Sequence, residues 1–373
     1  MLLMYLARRR MTSYSSSFGP DRSIRDEFFK KDKYPASHNN MKILITGASG
    51  YIANKLASWL ADHGHEVHAL IRSDVFEKWL KHPKIKTFKG DILDKESLLL
   101  AMKGCEQVYH AAAKVGAWAK DASVFYKVNV DGTRNVLDAA LISGVQKTVI
   151  TSSSGVLGPA RNRPVEENDT RFIDFTIDYD RSKKLSEDVA IEYSRNGMNV
   201  VIVSPSKVYG PGNSSHSLAA NAIINTFLKK RIALIPRGTY SVCFAFIDDV
   251  VTGHVLAMEK GLSGENYILG GINISYYDFF NRIRTLSSGK GNIIKVPKGF
   301  IKTWAHLQEL NHKLWGTPVR FTARSVDHLF SNYIFSSKKA ISDLGYSITP
   351  LDEALQKTIH FLVNDAAGSQ IFI

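Results

Sequence analysis

MKILITGASGYIANK, residues 41–55, carries the reading on which the fold of this chain turns. KILIT (42–46) is a continuous apolar run of strand length, and a helix-length segment through Trp59 and Leu60 follows it. Between them lies TGASGYIA (46–53). Gly47 permits a tight turn, and Gly50 lets main chain approach a pyrophosphate at the positive end of the helix. Ala53 stands where a third glycine would, and is small enough for close helix–strand packing. A glycine pair alone says little; set between a first strand and a first helix, it indicates a dinucleotide site.

Working outward, strands and helices alternate. EVHALI (66–71) reads as a second strand, 74–82 as a helix, KTFKG (86–90) as a third strand, and 94–103 as a helix. QVYHAAA (107–113), one long helix over 124–144, KTVITSSS (147–154), a helix from about Tyr179 and NVVIVSPS (199–206) continue the series. Apolar strands separated by helices are buried on both faces, which predicts an α/β fold: a Rossmann-type doubly wound parallel sheet with a smaller C-terminal substrate-binding lobe. The dinucleotide-binding domain is expected over 41–208, with its sheet completed within 242–270, where VCFAFI (242–247) suggests a return to the sheet. The lobe is expected over 209–241 and 271–365. Residues 1–40 open with MLLMYLARRRMTSYSSSF, similar to a transit peptide in being poor in acids and rich in Ser and Arg. They are read as a disordered extension without catalytic role, Met41 being a natural start.

Bulk properties narrow the partners. The 373 residues are 44% hydrophobic and 10% aromatic, as in ordinary globular proteins, and no apolar run is long enough to span a bilayer. Cys105 and Cys243 cannot form a disulfide framework, so a reducing, cytoplasmic location is expected. The formal charge of +13 favours anionic partners, and residues 281–340 alone hold eleven Lys or Arg and two acids. No nucleic-acid motif accompanies them, so the expected partner is a small-molecule substrate and not DNA or RNA.

At the end of the second strand, Ile71 and Arg72 occupy the point where an acid would grip the ribose hydroxyls of NAD. A guanidinium there suits the 2′-phosphate of NADP, so NADP(H) is the preferred cofactor, with NAD(H) the alternative. GD at 90–91 offers Asp91 to the adenine edge.

Tyr179 and Lys183, in DYDRSKK (178–184), open the helix after strand five on neighbouring turns of one face. Tyr51 and Lys55 have the same spacing, but they lie in the first helix beside the phosphates, far from a nicotinamide. Strand five ends in TSSSGVLG, placing a serine hydroxyl at the C-terminal edge of the sheet, where such sheets bind ligands. A free phenol titrates near ~10, and a neighbouring ammonium is expected to lower that value so that Tyr179 can pass a proton to or from a substrate oxygen. Ser153 would hold the oxygen.

TGASGYIA, Asp91, HAAA (110–113), the serine run, YDRSK and SPSKVYGPG (204–212) occur in the order seen in extended short-chain dehydrogenases/reductases, which residues 41 to about 360 resemble. HALIR, DDVVTGHVLAMEKG (248–261), ENYILGG (265–271) and ISDLGY (341–346) are most similar to dihydroflavonol-reductase-like proteins. The resemblance implies Ser153, Tyr179 and Lys183 as catalytic, and Pro205 and Val208 near the nicotinamide. Further dinucleotide contacts are expected at Gly47, Ser49, Gly50, Tyr51, Ile52, Arg72, Asp91, Ile92, Ala111, Ala112, Ala113 and Thr151, with Tyr179 and Lys183. Substrate contacts are expected at Trp118, Ser153, Ser154 and Tyr209. The activity implied is carbonyl reduction, or the reverse alcohol oxidation, on a mid-sized, partly apolar substrate. The alternatives are a nucleotide-sugar epimerase or dehydratase with retained NAD(P), a sterol enzyme similar to 3β-hydroxysteroid dehydrogenases, and a dinucleotide sensor without chemistry. Val242 and Cys243 stand where sugar-nucleotide enzymes commonly carry a diphosphate-binding arginine, which weakens the epimerase reading. A homodimer through the long helices is the expected oligomer, as in relatives.

Three features are set aside or left open. His63, His65 and His68 straddle a helix end and a strand without a cysteine, so no metal is expected. SSGKG (287–291) lacks the hydroxyl of a phosphate loop. In 299–315, Phe300, Trp304, Leu307, Leu310 and Leu314 share a helical face, read as packed over the substrate pocket, with contact to an acidic membrane surface as the alternative.

Overall fold

A computed structural model describes residues 40–73, 80–212, 219–317, 319 and 322–368. The expectations for residues 1–39 and for most of the helix at 74–82, and residues 213–218 of the expected lobe, lie outside the described residues.

In chain order, the first half comprises β1 (Lys42–Thr46), α1 (Tyr51–Asp62), β2 (Glu66–Ile71), β3 (Ile85–Lys89), α2 (Lys95–Met102) and β4 (Gln107–His110). It continues with α3 (Ser123–Tyr126), a π-helical turn (Lys127–Asp131), α4 (Gly132–Ile142), β5 (Lys147–Thr151), a 3₁₀ turn (Ser154–Leu157), α5 (Asp178–Arg195) and β6 (Val200–Pro205). The second half comprises β7 (Lys207–Tyr209), α6 (Ala219–Lys230), β8 (Ile232–Pro236), β9 (Ser241–Phe246), α7 (Ile247–Lys260) and β10 (Asn266–Leu269). Then come β11 (Ile272–Ser275), α8 (Tyr276–Leu286), β12 (Asn292–Val296), α9 (Lys298–Trp315), α10 (Ala323–Leu329), a second π turn (Ala340–Leu344) and α11 (Leu351–Gly368).

Seven parallel strands form the main sheet in the order β10-β6-β5-β4-β1-β2-β3. Every residue of β6 is buried, and β1 and β2 are buried except at their first residue. Helices cover both faces, which is why these strands read as continuous apolar runs rather than alternating ones. One face packs Ile43 and Ile45 with Leu56, Val149, Val201 and Val251; the other packs Leu44 and Val108 with Leu98, Val136 and Ile202. The strand order reverses between β1 and β4, and ligands bind in the crevice that opens there beyond the carboxyl ends of the strands.

Two expectations are corrected. Of the span 242–270, only Asn266–Leu269 joins the main sheet, beside β6. Ser241–Phe246 instead forms a three-stranded sheet with β7 and β11, closed by an aromatic cluster in which Phe244 stacks on Phe279 at 3.8 Å. A strand buried on both faces reads alike in either sheet, so its pattern could not choose the partner. The long helix at 124–144 is also interrupted by the π turn, a widening that shifts the side-chain phase at Asn129.

Candidate active site

The turn after β1 meets the segment after β4 at the crevice. Gly47 has φ +73, and a Cβ on it would lie 2.7 Å from the Cα and N of Ala112. Only glycine lets the turn seat this closely on 111–113. The Gly50 amide donates to the Gly47 carbonyl at 2.7 Å and caps α1, whose first amides, on Tyr51 and Ile52, have no intrahelical acceptor. Such free amides beside a glycine turn could hold a pyrophosphate, and Ser49 borders them. Arg72 is exposed at the end of β2, on the same edge of the sheet. Asp91 closes the turn after β3 by accepting from the Leu93 amide at 2.9 Å. Ile92 sends its side chain into the core against Gly132, so any contact it makes with a cofactor is through main chain.

The tyrosine–lysine pair in α1 has a different role from the one in α5. Tyr51 is 6% exposed, and its hydroxyl donates to the Gly210 carbonyl at 2.6 Å. Lys55 donates to the Pro211 carbonyl at 3.2 Å and pairs with Asp248 at 2.5 Å. Both tie α1 to the loop after β7.

Ser153 ends the segment after β5 in extended backbone and caps the 3₁₀ turn, its Oγ accepting from the Gly155 amide at 3.2 Å. Ser152 and Ser154 on either side are 5% and 4% exposed, whereas Ser153 keeps part of its surface. The Ser153 hydroxyl lies beside the phenol of Tyr179, in the first turn of α5. Ser154, expected at the substrate, is more buried than Ser153. Tyr209, also expected there, is corrected. It is 1% exposed within the ring cluster of Phe244, Phe246 and Phe279, because β7 turns it into the small sheet's core.

One turn beyond Tyr179, Lys183 is 1% exposed, and burial pushes its ammonium down to about 8, against the opposing pull of Glu187. The expected acidification of the phenol is not seen. Burial among protein atoms raises Tyr179 above its ordinary value, Asp180 raises it further, and the nearby Ser153 hydroxyl opposes both. Tyr179 nonetheless keeps some surface open to a reactant. Thr151, at the end of β5, hydrogen-bonds Nε2 of His254 at 3.0 Å, and Nδ1 of that ring meets the Val250 carbonyl at 2.7 Å.

Three groups absent from the sequence reading support this constellation. Asn129, in the π turn, accepts from the Lys114 amide (2.7 Å) and donates to the Lys114 carbonyl (3.1 Å) and to Ser182 Oγ (2.8 Å). It thereby joins the segment after β4 to α5. His110 bridges Thr46 (2.7 Å) and Thr133 (3.0 Å), and Thr133 meets Ser186 of α5 at 2.9 Å. Burial and the charge of Lys183 push His110 down to about 3, so the ring is neutral. Glu187, 5% exposed, accepts from Ser152 Oγ at 2.5 Å, and burial pushes it up to about 7. Its place one turn after Lys183 was the one available signal; Asn129 gave none, since its neighbours meet only in three dimensions.

The set-aside histidines have main-chain partners of their own: His63 with Trp59, His65 with Met41 and His68 with Ala101. No group of three metal-ligating side chains occurs among the described residues. No described helix is long and apolar enough to cross a membrane. Helix α9 differs from expectation. Ala305, with Ile301 beside it, packs on Val326 and Phe330, whereas Phe300, Leu307, Leu310 and Leu314 are exposed and Trp304 is half-buried. Trp118 meets this helix edge-on at His312, with ring centroids 4.7 Å apart.

Residues 43–270 match the NAD dependent epimerase/dehydratase family. The chain is 28% identical to a putative dihydroflavonol 4-reductase of Synechocystis sp., over 86% of this chain and 94% of that one. It is 31% identical to sterol demethylase protein B of Methylococcus capsulatus, over 82% and 93%. The crystal structure of gox2253 superposes with a TM-score of 0.73 at 28% identity, covering 88% of this chain and 99% of that one. With the glycine turn at the sheet's reversal point, these matches make the chain a member of the NAD-dependent epimerase/dehydratase family, and an NAD(P)-dependent oxidoreductase of the extended short-chain dehydrogenase/reductase type.

Proposed function

We propose that the protein uses NADP(H) to reduce the carbonyl of a mid-sized, partly apolar substrate, or to oxidise the corresponding alcohol. The observation that carries this reading is the Ser153–Tyr179 hydroxyl pair at the carboxyl edge of the sheet, one helical turn from Lys183. Bound NADPH supplies the hydride. Ser153 holds the carbonyl oxygen by hydrogen bond, and Tyr179 gives that oxygen its proton, leaving an alcohol and a phenolate that solvent reprotonates. Lys183, with its buried ammonium, stabilises the phenolate as it forms and grips the nicotinamide ribose. Gly47, Ser49, Gly50 and the first amides of α1 hold the pyrophosphate, Asp91 faces the adenine, and Arg72 takes the 2′-phosphate.

Calorimetry with NADPH and NADH tests the cofactor. NADPH is expected to bind more tightly, and Arg72→Ala to weaken it by about tenfold or more while leaving NADH little changed. Equal affinities that ignore the substitution would remove NADP(H) from the assignment. A panel of ketones and aldehydes, followed by nicotinamide absorbance, tests the reaction. Dinucleotide that stays bound through purification, with no net oxidation during turnover, would favour the epimerase reading.

A further inference from the structure

Next to the Ser153–Tyr179 pair, the chain gathers positive charge that its own acids leave unmatched. Lys207 opens β7, two residues after β6 ends at Pro205. Its ammonium is half-buried, reaches the Tyr276 hydroxyl at 3.4 Å and lies 5.5 Å from that ring's centroid. No carboxylate pairs with it among the described residues. Arg171 is pinned nearby: Nη1 donates to the carbonyls of Gly155 (2.7 Å) and Val156 (3.0 Å), Nε to that of Ile173 (2.9 Å), and the guanidinium packs 4.1 Å from the centre of Phe175. The segment that carries it is held beside Tyr333, where the Ala160 amide donates to the Asn332 carbonyl at 2.7 Å. His328 stacks on Tyr333 at 3.7 Å, and its Nδ1 is buried without a hydrogen-bond partner.

β7 pairs with β9 at Lys207–Phe244 and Tyr333 bridges the same strand at Val242, which sets Lys207 near the Tyr333–His328 stack. Burial and the charges of both Lys207 and Arg171 push His328 down to about 3, which keeps the ring neutral. Asp180 is the acid that faces them. It is 2% exposed, its Oδ2 has no partner, and burial pushes it up to about 6, towards the neutral form. Its carboxylate faces Gly155, whose carbonyl Arg171 holds, and it follows Tyr179 directly in the chain, which ties Arg171 to the reacting hydroxyl. Half-buried cations beside one weakly charged acid are incompletely compensated, and a ligand's negative charge improves that balance.

We propose that Lys207, backed by Arg171 and the Nδ1 edge of His328, receives a carboxylate carried by the substrate, so that the substrate class is oxo acids or the matching hydroxy acids. This rests on the reductase reading above for the fate of the carbonyl, but not for the binding of the acid. A single carboxylate fits better than a nucleoside diphosphate. Lys207 has no carboxylate partner among the described residues, Arg171's donors are occupied by main chain, and Val242 and Cys243 bring no second guanidinium.

The test measures binding of 3-hydroxydecanoate and of its methyl ester by calorimetry to the enzyme loaded with NADPH, a complex in which an alcohol cannot react. The acid is expected to bind about tenfold more tightly than the ester, with the preference lost in Lys207→Met and kept in Lys207→Arg. Equal affinities, a preference that survives Lys207→Met, or tighter binding of UDP-glucose than of the acid would each overturn the proposal. Oxidation of the same two compounds with NADP⁺ separates the two readings. Turnover of both without an affinity difference leaves the reductase and removes the carboxylate site; Lys207-dependent binding of the acid without hydride transfer does the reverse.

Discussion

Gly155→Ala is the sharpest probe of how the two reacting hydroxyls are held. Gly155 lies two residues after Ser153 and faces the side chain of Asp180, the residue after Tyr179. A methyl group there would sit 3.0 Å from Asp180 Cγ, 3.2 Å from Oδ2 and nearer still to Oδ1, whereas ordinary contact begins at 3.4 Å. Gly155 is buried and Asp180 is 2% exposed, so neither side has open space to yield into. The turns carrying Ser153 and Tyr179 must part by about 0.5–1 Å, at a cost of about 1–3 kcal/mol for the overpacking. Misplacement on that scale lowers a rate by up to about a hundredfold, because proton transfer requires the donor and the substrate oxygen within hydrogen-bond reach. Steady-state turnover of the best ketone from a substrate panel should show kcat reduced about ten- to a hundredfold. NADPH affinity, set by the turn after β1 and the end of β2, should stay within about twofold of wild type. Adding Asp180→Ala removes all three of the nearest atoms and should recover much of the lost kcat. Wild-type kcat in the single variant, or a loss that the second substitution does not relieve, would refute the reasoning.

Tyr179→Phe should cost about 10²–10⁴ in kcat while NADPH still binds; undiminished turnover of every accepted substrate would take the proton-donor role from Tyr179. Gly47→Ala forces a methyl onto the main chain of Ala112 at φ +73, so thermal stability should fall by at least the ~1–2 kcal/mol of a left-handed residue, and dinucleotide affinity should fall with it. A melting temperature and affinity equal to wild type would show that the turn relaxes freely. Stability should also depend on pH through the buried pair on α5. Glu187 moves from its ordinary 4.5 up to about 7, so the folded protein keeps a proton that the unfolded chain has lost, and stability falls as pH rises through that window. Lys183 moves from 10.5 down to about 8, so its contribution returns as pH climbs above about 8. Melting temperatures across this range should pass through a shallow minimum at about neutral pH, and Lys183→Met should flatten the alkaline rise; an unchanged alkaline limb in that variant would count against the assignment.

The dinucleotide half was readable because its signals are local. KILIT, the glycine turn and the helix after it are fixed by burial on both faces of a strand and by the left-handed backbone at Gly47, and both leave a mark within a few residues. The same held for Tyr179, Lys183 and the serine run, since a strand's end and the next helix's start are placed by the alternation itself. Where the reading failed, the controlling contact lay far along the chain. Apolar alternation could not tell which sheet Ser241–Phe246 would join, nor that α9 would bury Ala305 and leave Leu307 and Leu310 outside. Likewise, spacing located the phenol and the ammonium but not their ionisation. That depends on how many protein atoms replace water around them, and here the loss of solvent outweighs the neighbouring charge. Asn129, Glu187 and the Lys207–Arg171–His328 group emerge only when segments up to 157 residues apart in sequence close on one another, because a side chain's partners, unlike its backbone preferences, are not written in its neighbours.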